Sequence, residues 1–165
     1  MTAFVSIFTI LMLVLADQFI KLMVVLKLEP VGVHEVLTGF LQFRYVENTG
    51  AVFGSFSGNT AILSVVSAAL LIAVIVYLAM GKVKSKFAFV CLIMIVAGGA
   101  GNLIDRIFRG FVIDYIEVLF VNFAVFNFAD CLITVGAFSL VGYLLYDLIR
   151  ERKSSAPPAA EDEAL

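Results

Sequence analysis

Two aspartates occur where aspartates are rare. Asp114 lies in FVIDYI and Asp130 in VFNFADCLI, each among apolar and aromatic neighbours. Desolvation disfavours the charged form of a carboxyl group, and a second carboxylate nearby disfavours it further. Two such groups can share one proton. One is then a base that activates water, and the other an acid that polarises a carbonyl, which is the chemistry of an aspartic peptidase. Acids in a membrane setting also serve ion or proton transport, or only structure, and residue types alone leave these open. Other peptidase chemistries fit less well. The single histidine, His34, has no GxSxG partner and reads as a surface residue. HExxH is absent. Cys91 and Cys131 have no CxxC or metal-ligand spacing.

More polar residues stand close to apolar runs. Asp17 and Lys21 are one helical turn apart, so they can pair on one face. The plainer reading is a neutralised pair at the end of a span, with Lys21 snorkelling to the interface. Asn102, Asp105 and Arg106 share a helical face in GNLIDR. Beside Arg106, Asp105 reads as a holder rather than a proton shuttle, the two forming a cap and ion pair that fixes a helix end. Asn127 precedes Asp130 by three residues and shares its face. In VENTGAVFG, Gly50 and Gly54 permit tight turns and Asn48 can bond to backbone. That segment is either a turn re-entering the bundle or a cradle for an extended peptide.

The elements that must position these groups are membrane elements. The chain has 165 residues, 62% hydrophobic and 15% charged, with mean hydropathy +1.09. A soluble domain of this length exposes far more charge. A net charge of −2 argues against a nucleic-acid partner. Four apolar stretches, 3–26, 60–80, 87–104 and 127–149, are each near the length that crosses a bilayer as a helix. The first lacks a basic leading region and is interrupted by Asp17 and Lys21, so it does not read as a cleaved signal peptide. Lys82, Lys84 and Lys86 follow span two, and Arg150, Arg152 and Lys153 follow span four. The positive-inside rule makes that side, and both termini, cytoplasmic. Segments 27–59 and 105–126 then face outward. Within them Leu41–Glu47, Val112–Val118 and Val121–Phe126 fit short strands at the membrane surface. Residues 28–39 form an outer loop. The domain expected is 1–153, with 154–165 a disordered, acidic cytoplasmic tail.

Five blocks in order resemble the lipoprotein signal peptidases, the type II signal peptidases of bacteria: DQFIK from Asp17, ENTGAVFG from Glu47, GNLIDR from Gly101, VIDY from Val112 and FNFAD from Phe126. The resemblance spans Asp17 to Ile149. It implies an all-α membrane protein of four transmembrane helices with a small extracytoplasmic β-sheet platform. It implies cleavage of the signal peptide from a prolipoprotein, just before a cysteine that carries a diacylglyceryl group. It makes Asp114 and Asp130 the catalytic dyad, with Asp17, Lys21, Asn48, Gly50, Asn102, Asp105, Arg106 and Asn127 shaping the site or holding substrate. No metal or organic cofactor is expected. Lipid-modified prolipoproteins and membrane lipid are the expected partners of a monomer in the bacterial inner membrane, with its active site near the outer face. Tyr115 stands where Phe is common, Gly54 where Ser is frequent, and Cys131 where Ser is common. No tryptophan lies between the two aspartates, where the family often has one. None of these departures removes a proton-transfer group.

Two other functions compete with the peptidase. A proton-coupled carrier would use the same acids, but four spans without duplication are few for one, and the acids gather at one end. A structural scaffold would tolerate loss of both aspartates.

Overall fold

The computed structural model describes residues 3–50 and 60–154. Four helices carry the architecture: α1 (Ala3–Lys27), α2 (Thr60–Ala79), α3 (Lys86–Phe108) and α4 (Phe128–Ser154). All four are long and apolar enough to cross a membrane. Helix α3 is central and packs against the other three. Half of its most apolar window is buried, whereas no residue of α2 is. Small residues explain the close approach of α3 and α4. A Cβ on Gly98 would overlap the Ala129 carbonyl, and one on Gly136 would meet the Cys91 carbonyl at 2.8 Å.

Helix ends follow local chemistry. Ser85 caps α3, its hydroxyl accepting the Ala88 N–H at 3.3 Å. At the other end the Arg109 N–H donates to the Asp105 carbonyl at 2.7 Å. Gly110 follows at φ 82°, a left-handed conformation that glycine adopts without strain. This turn sends the chain directly into a strand. Helix α3 therefore runs four residues past the apolar stretch 87–104, and α4 runs past 149 through the basic Arg150–Arg152 segment. Arginine, lysine and glutamate are good helix formers, so the helix outlasts its apolar face.

A three-stranded antiparallel sheet, β1 (Val33–Leu37), β2 (Leu41–Asn48) and β3 (Val112–Val118), lies in the order β1-β2-β3. Both strands expected at Leu41–Glu47 and Val112–Val118 are present. The loop expected at 28–39 instead contains β1, paired with β2 in register His34↔Phe43. Val121–Phe126 is not a strand; only Phe126 bridges, to Ile116. The chain has nine residues between the end of β3 and α4, and it spends most of them reversing direction. His34 is exposed, as expected.

The sheet is fixed to the bundle by a small core. Leu28, Ile113 and Tyr115 are buried together, with Ile20, Val24 and Phe43 packed against them. Side chains alternate along a strand. With Ile113 and Tyr115 turned into this core, Asp114 between them points the other way, toward α4.

Candidate active site

Helix α4 begins with a reciprocal cap. Asn127 precedes its first residue, and its Oδ1 accepts the Asp130 N–H at 2.9 Å. The Asp130 Oδ2 accepts the Asn127 N–H in return, at 3.2 Å. This is a capping box built from Asn and Asp, and it fixes the Asp130 carboxylate at the positive end of the helix dipole. The other oxygen, Oδ1, accepts from Asn102 Nδ2 on α3 at 2.7 Å.

Asp114 arrives from β3. Its Oδ1 accepts from Asn127 Nδ2 at 2.6 Å, and its Oδ2 from Asn48 Nδ2 at 2.8 Å. Asn48 ends β2 and is itself held by the Gly50 N–H, which donates to its Oδ1 at 2.9 Å. Register places Asn48 opposite Val112, so it reaches the aspartate two residues on. Asn127 thus touches both acids, through its side chain to Asp114 and through its backbone and side chain to Asp130. No cation bonds either carboxylate among the described residues. Burial, and then the charge of Asp130, push the Asp114 carboxyl up to about 6, against the pull of its two amide donors.

A second cluster lies immediately behind. Lys21 is fully buried, and its Nζ lies 2.9 Å from Asp17 Oδ2, 2.8 Å from Asp105 Oδ2 and 2.9 Å from Asn102 Oδ1. An ammonium has three protons and accepts nothing. Asn102 must therefore turn its oxygen to Lys21, which leaves its Nδ2 aimed at Asp130. The same oxygen accepts from Asn127 Nδ2 at 3.1 Å. The cation thereby sets the orientation of an amide that touches the outer acid. Asp17 also accepts the Ala129 N–H at 3.2 Å, tying α1 to α4. Gly101 leaves room for it, since a Cβ there would lie 2.5 Å from Asp17 Oδ2.

Gln18 completes this cluster. Its Nε2 lies 3.2 Å from Asp17 Oδ2, 3.1 Å from the Gly101 carbonyl and 3.3 Å from Asp105 Oδ1. Sequence reasoning passed over it, because a residue adjacent to Asp17 is a quarter-turn away on a helix. The available signal was a polar amide within an apolar span. Arg109 was missed as well. It reaches Asp105 Oδ1 at 3.4 Å, one turn along α3.

Two expectations need correction. Lys21 does not snorkel: it is fully buried, because two carboxylates and an amide inside the bundle outbid the interface. Arg106 does not pair with Asp105. Adjacent helical residues diverge, so Asp105 turns to Lys21 and Arg109. Arg106 instead lines the cavity, and its buried Nε has no partner among the described residues.

That cavity holds about 580 Å³. Asn48, Gly50, Asn102, Arg106, Asp114 and Asp130 line it on one side; Leu63 of α2 and Ile133 and Val135 of α4 supply an apolar wall. Seven of the ten residues expected at the site thus border the cavity or, as Asn127 does, bond directly to its acids. Asp17, Asp105 and Lys21 stand behind them, joined through Asn102. Gly54 and the rest of 51–59 fall outside the described residues, as does 155–165. The arrangement leaves room for a water or a carbonyl beside the two carboxyl groups.

Residues 9–146 match the family model described as signal peptidase (SPase) II. A lipoprotein signal peptidase of Clostridium novyi (strain NT) is 36% identical over 135 residues, covering 80% of this chain and 91% of the relative. One from Streptococcus pneumoniae is 34% identical over 140 residues, covering 85% and 92%. A bacterial membrane enzyme solved by the in meso method at 2.3 Å resolution is similar with TM-score 0.81 and 30% identity, covering 88% of this chain and 90% of its own.

Proposed function

Because the chain belongs to the signal peptidase II family, we propose that it is an aspartic endopeptidase acting on diacylglyceryl-modified prolipoproteins, with Asp114 and Asp130 as its catalytic pair. Membership in a peptidase family sets aside the carrier and scaffold readings. The observation that carries the proposal is the pair itself: buried Asp114 and half-buried Asp130, bridged by Asn127, with no bonded cation among the described residues, opening on a cavity with an apolar wall.

The reaction follows from the environments. Asp114 holds the proton, since burial and the charge of Asp130 favour its neutral form up to a pH of about 6. Asp130, at the helix N-terminus with two N–H donors, is the base. It takes a proton from water as the water oxygen bonds to the scissile carbonyl carbon. Asp114 gives its proton to the carbonyl oxygen. Collapse of the tetrahedral intermediate returns a proton to the leaving nitrogen as the C–N bond breaks. Arg106 lines this cavity, and its Nε, without a partner among the described residues, suits a substrate carbonyl. The walls of Leu63, Ile133 and Val135 suit the acyl chains of a lipid-anchored substrate, whose binding would align the peptide. The basic residues Lys82, Lys84, Arg150 and Arg152 lie at helix ends opposite the sheet, so the site faces the extracytoplasmic side.

The test is cleavage of a diacylglyceryl-modified precursor by purified protein, beside an unlipidated control. Wild type should cut only the lipidated form, and folded Asp114→Asn and Asp130→Asn should cut neither. Cleavage by either variant at the wild-type rate would overturn the assignment.

A further inference from the structure

The sheet ends in a hydrophobic tip. Phe40, in the turn between β1 and β2, stacks on Phe120, just past β3, with ring centroids 4.5 Å apart. The Leu119 N–H donates to the Phe40 carbonyl at 2.9 Å, locking the two turns together. Yet Phe40 is 50% exposed and Phe120 63%, and Leu37, Leu119 and Val121 beside them are exposed too. Locked aromatic rings left facing outward mark an interaction surface.

The fold indicates what covers it. Ile113, Tyr115 and Phe43 pack on Ile20, Val24 and Leu28, the last turns of α1 and the residue after it. Ile20 is about 10 Å below the end of that helix at 1.5 Å rise per residue. The sheet therefore stands alongside a membrane span, not above it. The apolar tip is continuous with the membrane-facing bundle: Phe123 packs edge-on against Phe126 at 5.9 Å, and both border the cavity walled by α2 and α4.

We propose that the Phe40–Phe120 tip is an interfacial anchor that inserts into the lipid leaflet on the sheet side of the bundle. Aromatic side chains favour this boundary. The same strand, β3, carries Asp114 six residues before Phe120, so the anchor holds that carboxyl at a set depth in the bilayer. This goes beyond the peptidase reading and is measurable without activity.

The chain contains no tryptophan, so Phe120→Trp creates a sole tryptophan, excited selectively over the tyrosines, and Phe40→Trp a second, independent probe. In phosphatidylcholine vesicles each should emit at shorter wavelength than tryptophan in water. Each should be quenched at least about two-fold by lipids brominated near the glycerol end of the acyl chain, and little by iodide. Quenching by iodide with none by bromolipid, in either folded variant, would overturn the proposal; the tip would then face water or a protein. A Phe40→Ser/Phe120→Ser variant reads the consequence. Cleavage should fall about ten-fold in vesicles and stay within about two-fold of wild type in detergent. An equal fall in both media would mean a structural tip and refute depth-setting.

Discussion

Two pairs of aspartates sit side by side at one end of this bundle, and they are held in opposite ways. Asp17 and Asp105 share the ammonium of Lys21, and all three are completely buried. Asp114 and Asp130 have amides and backbone N–H groups as neighbours, no bonded cation among the described residues, and a cavity in front. A carboxylate with a cation at hydrogen-bond distance is one half of an ion pair. One with only neutral donors has no such partner, which suits it to the proton transfer proposed here. The difference teaches that an aspartate's role here is set by the charge of its nearest donor, not by its burial. Asn102 joins the two pairs, its oxygen on Lys21 and its nitrogen on Asp130.

The sharpest way to break this comparison is to treat all four acids alike. Asp114→Asn or Asp130→Asn should lower kcat about ten-thousand-fold while the protein still unfolds in one transition near the wild-type midpoint. Asn at either position that leaves cleavage within ten-fold of wild type would erase the distinction. On the other pair, Lys21→Met should cost about 3–5 kcal/mol of stability, because two carboxylates lose their only shared cation inside the bundle. Denaturant unfolding in detergent measures it, and a cost below about 1 kcal/mol would contradict a cation-dependent cluster.

The comparison sharpens with pH. Asp114 has a folded value near 6 against 3.8 for the free group. Between those values the folded state binds more protons than the unfolded one, so stability falls as pH rises through this window. The fall should be on the order of 3 kcal/mol, complete above about pH 7. It should vanish in Asp114→Asn, and cleavage by the wild type should decline on the same alkaline limb as the acid loses its proton. A stability profile of the variant that still tracks wild type would assign the slope to another group. The smallest effect expected is that of the link: Asn102→Ala should cost about 1–3 kcal/mol by leaving a Lys21 proton and an Asn127 donor unpaired. It should lower kcat more than it raises KM, since Asn102 orients an acid. Unchanged kcat would separate the two clusters functionally.

Much of this was legible in the chain. Spans appear as apolar runs because no other element hides twenty apolar residues with all backbone groups bonded. Val112–Val118 reads as a strand from its β-branched and aromatic content, and Asp114 and Asp130 stand out because hydrocarbon excludes acids without a reason. β1 was hidden, since VHEVL is short and takes its strand form from pairing with β2. Val121–Phe126 has equal strand character and is not one, because the chain must turn there to reach α4. Lys21 reads as an interfacial lysine until the carboxylate of a residue 84 positions later is found beside it.

Sequence by itself determined the four apolar spans and the strand that carries Asp114, because each rests on local composition or spacing. Only the tertiary structure decided that Lys21 serves Asp17 and Asp105, that Arg109 rather than Arg106 joins them, and that Asn127 bridges Asp114 to Asp130. Those choices depend on distances between segments far apart in the chain, and a charge selects its partner by proximity in space.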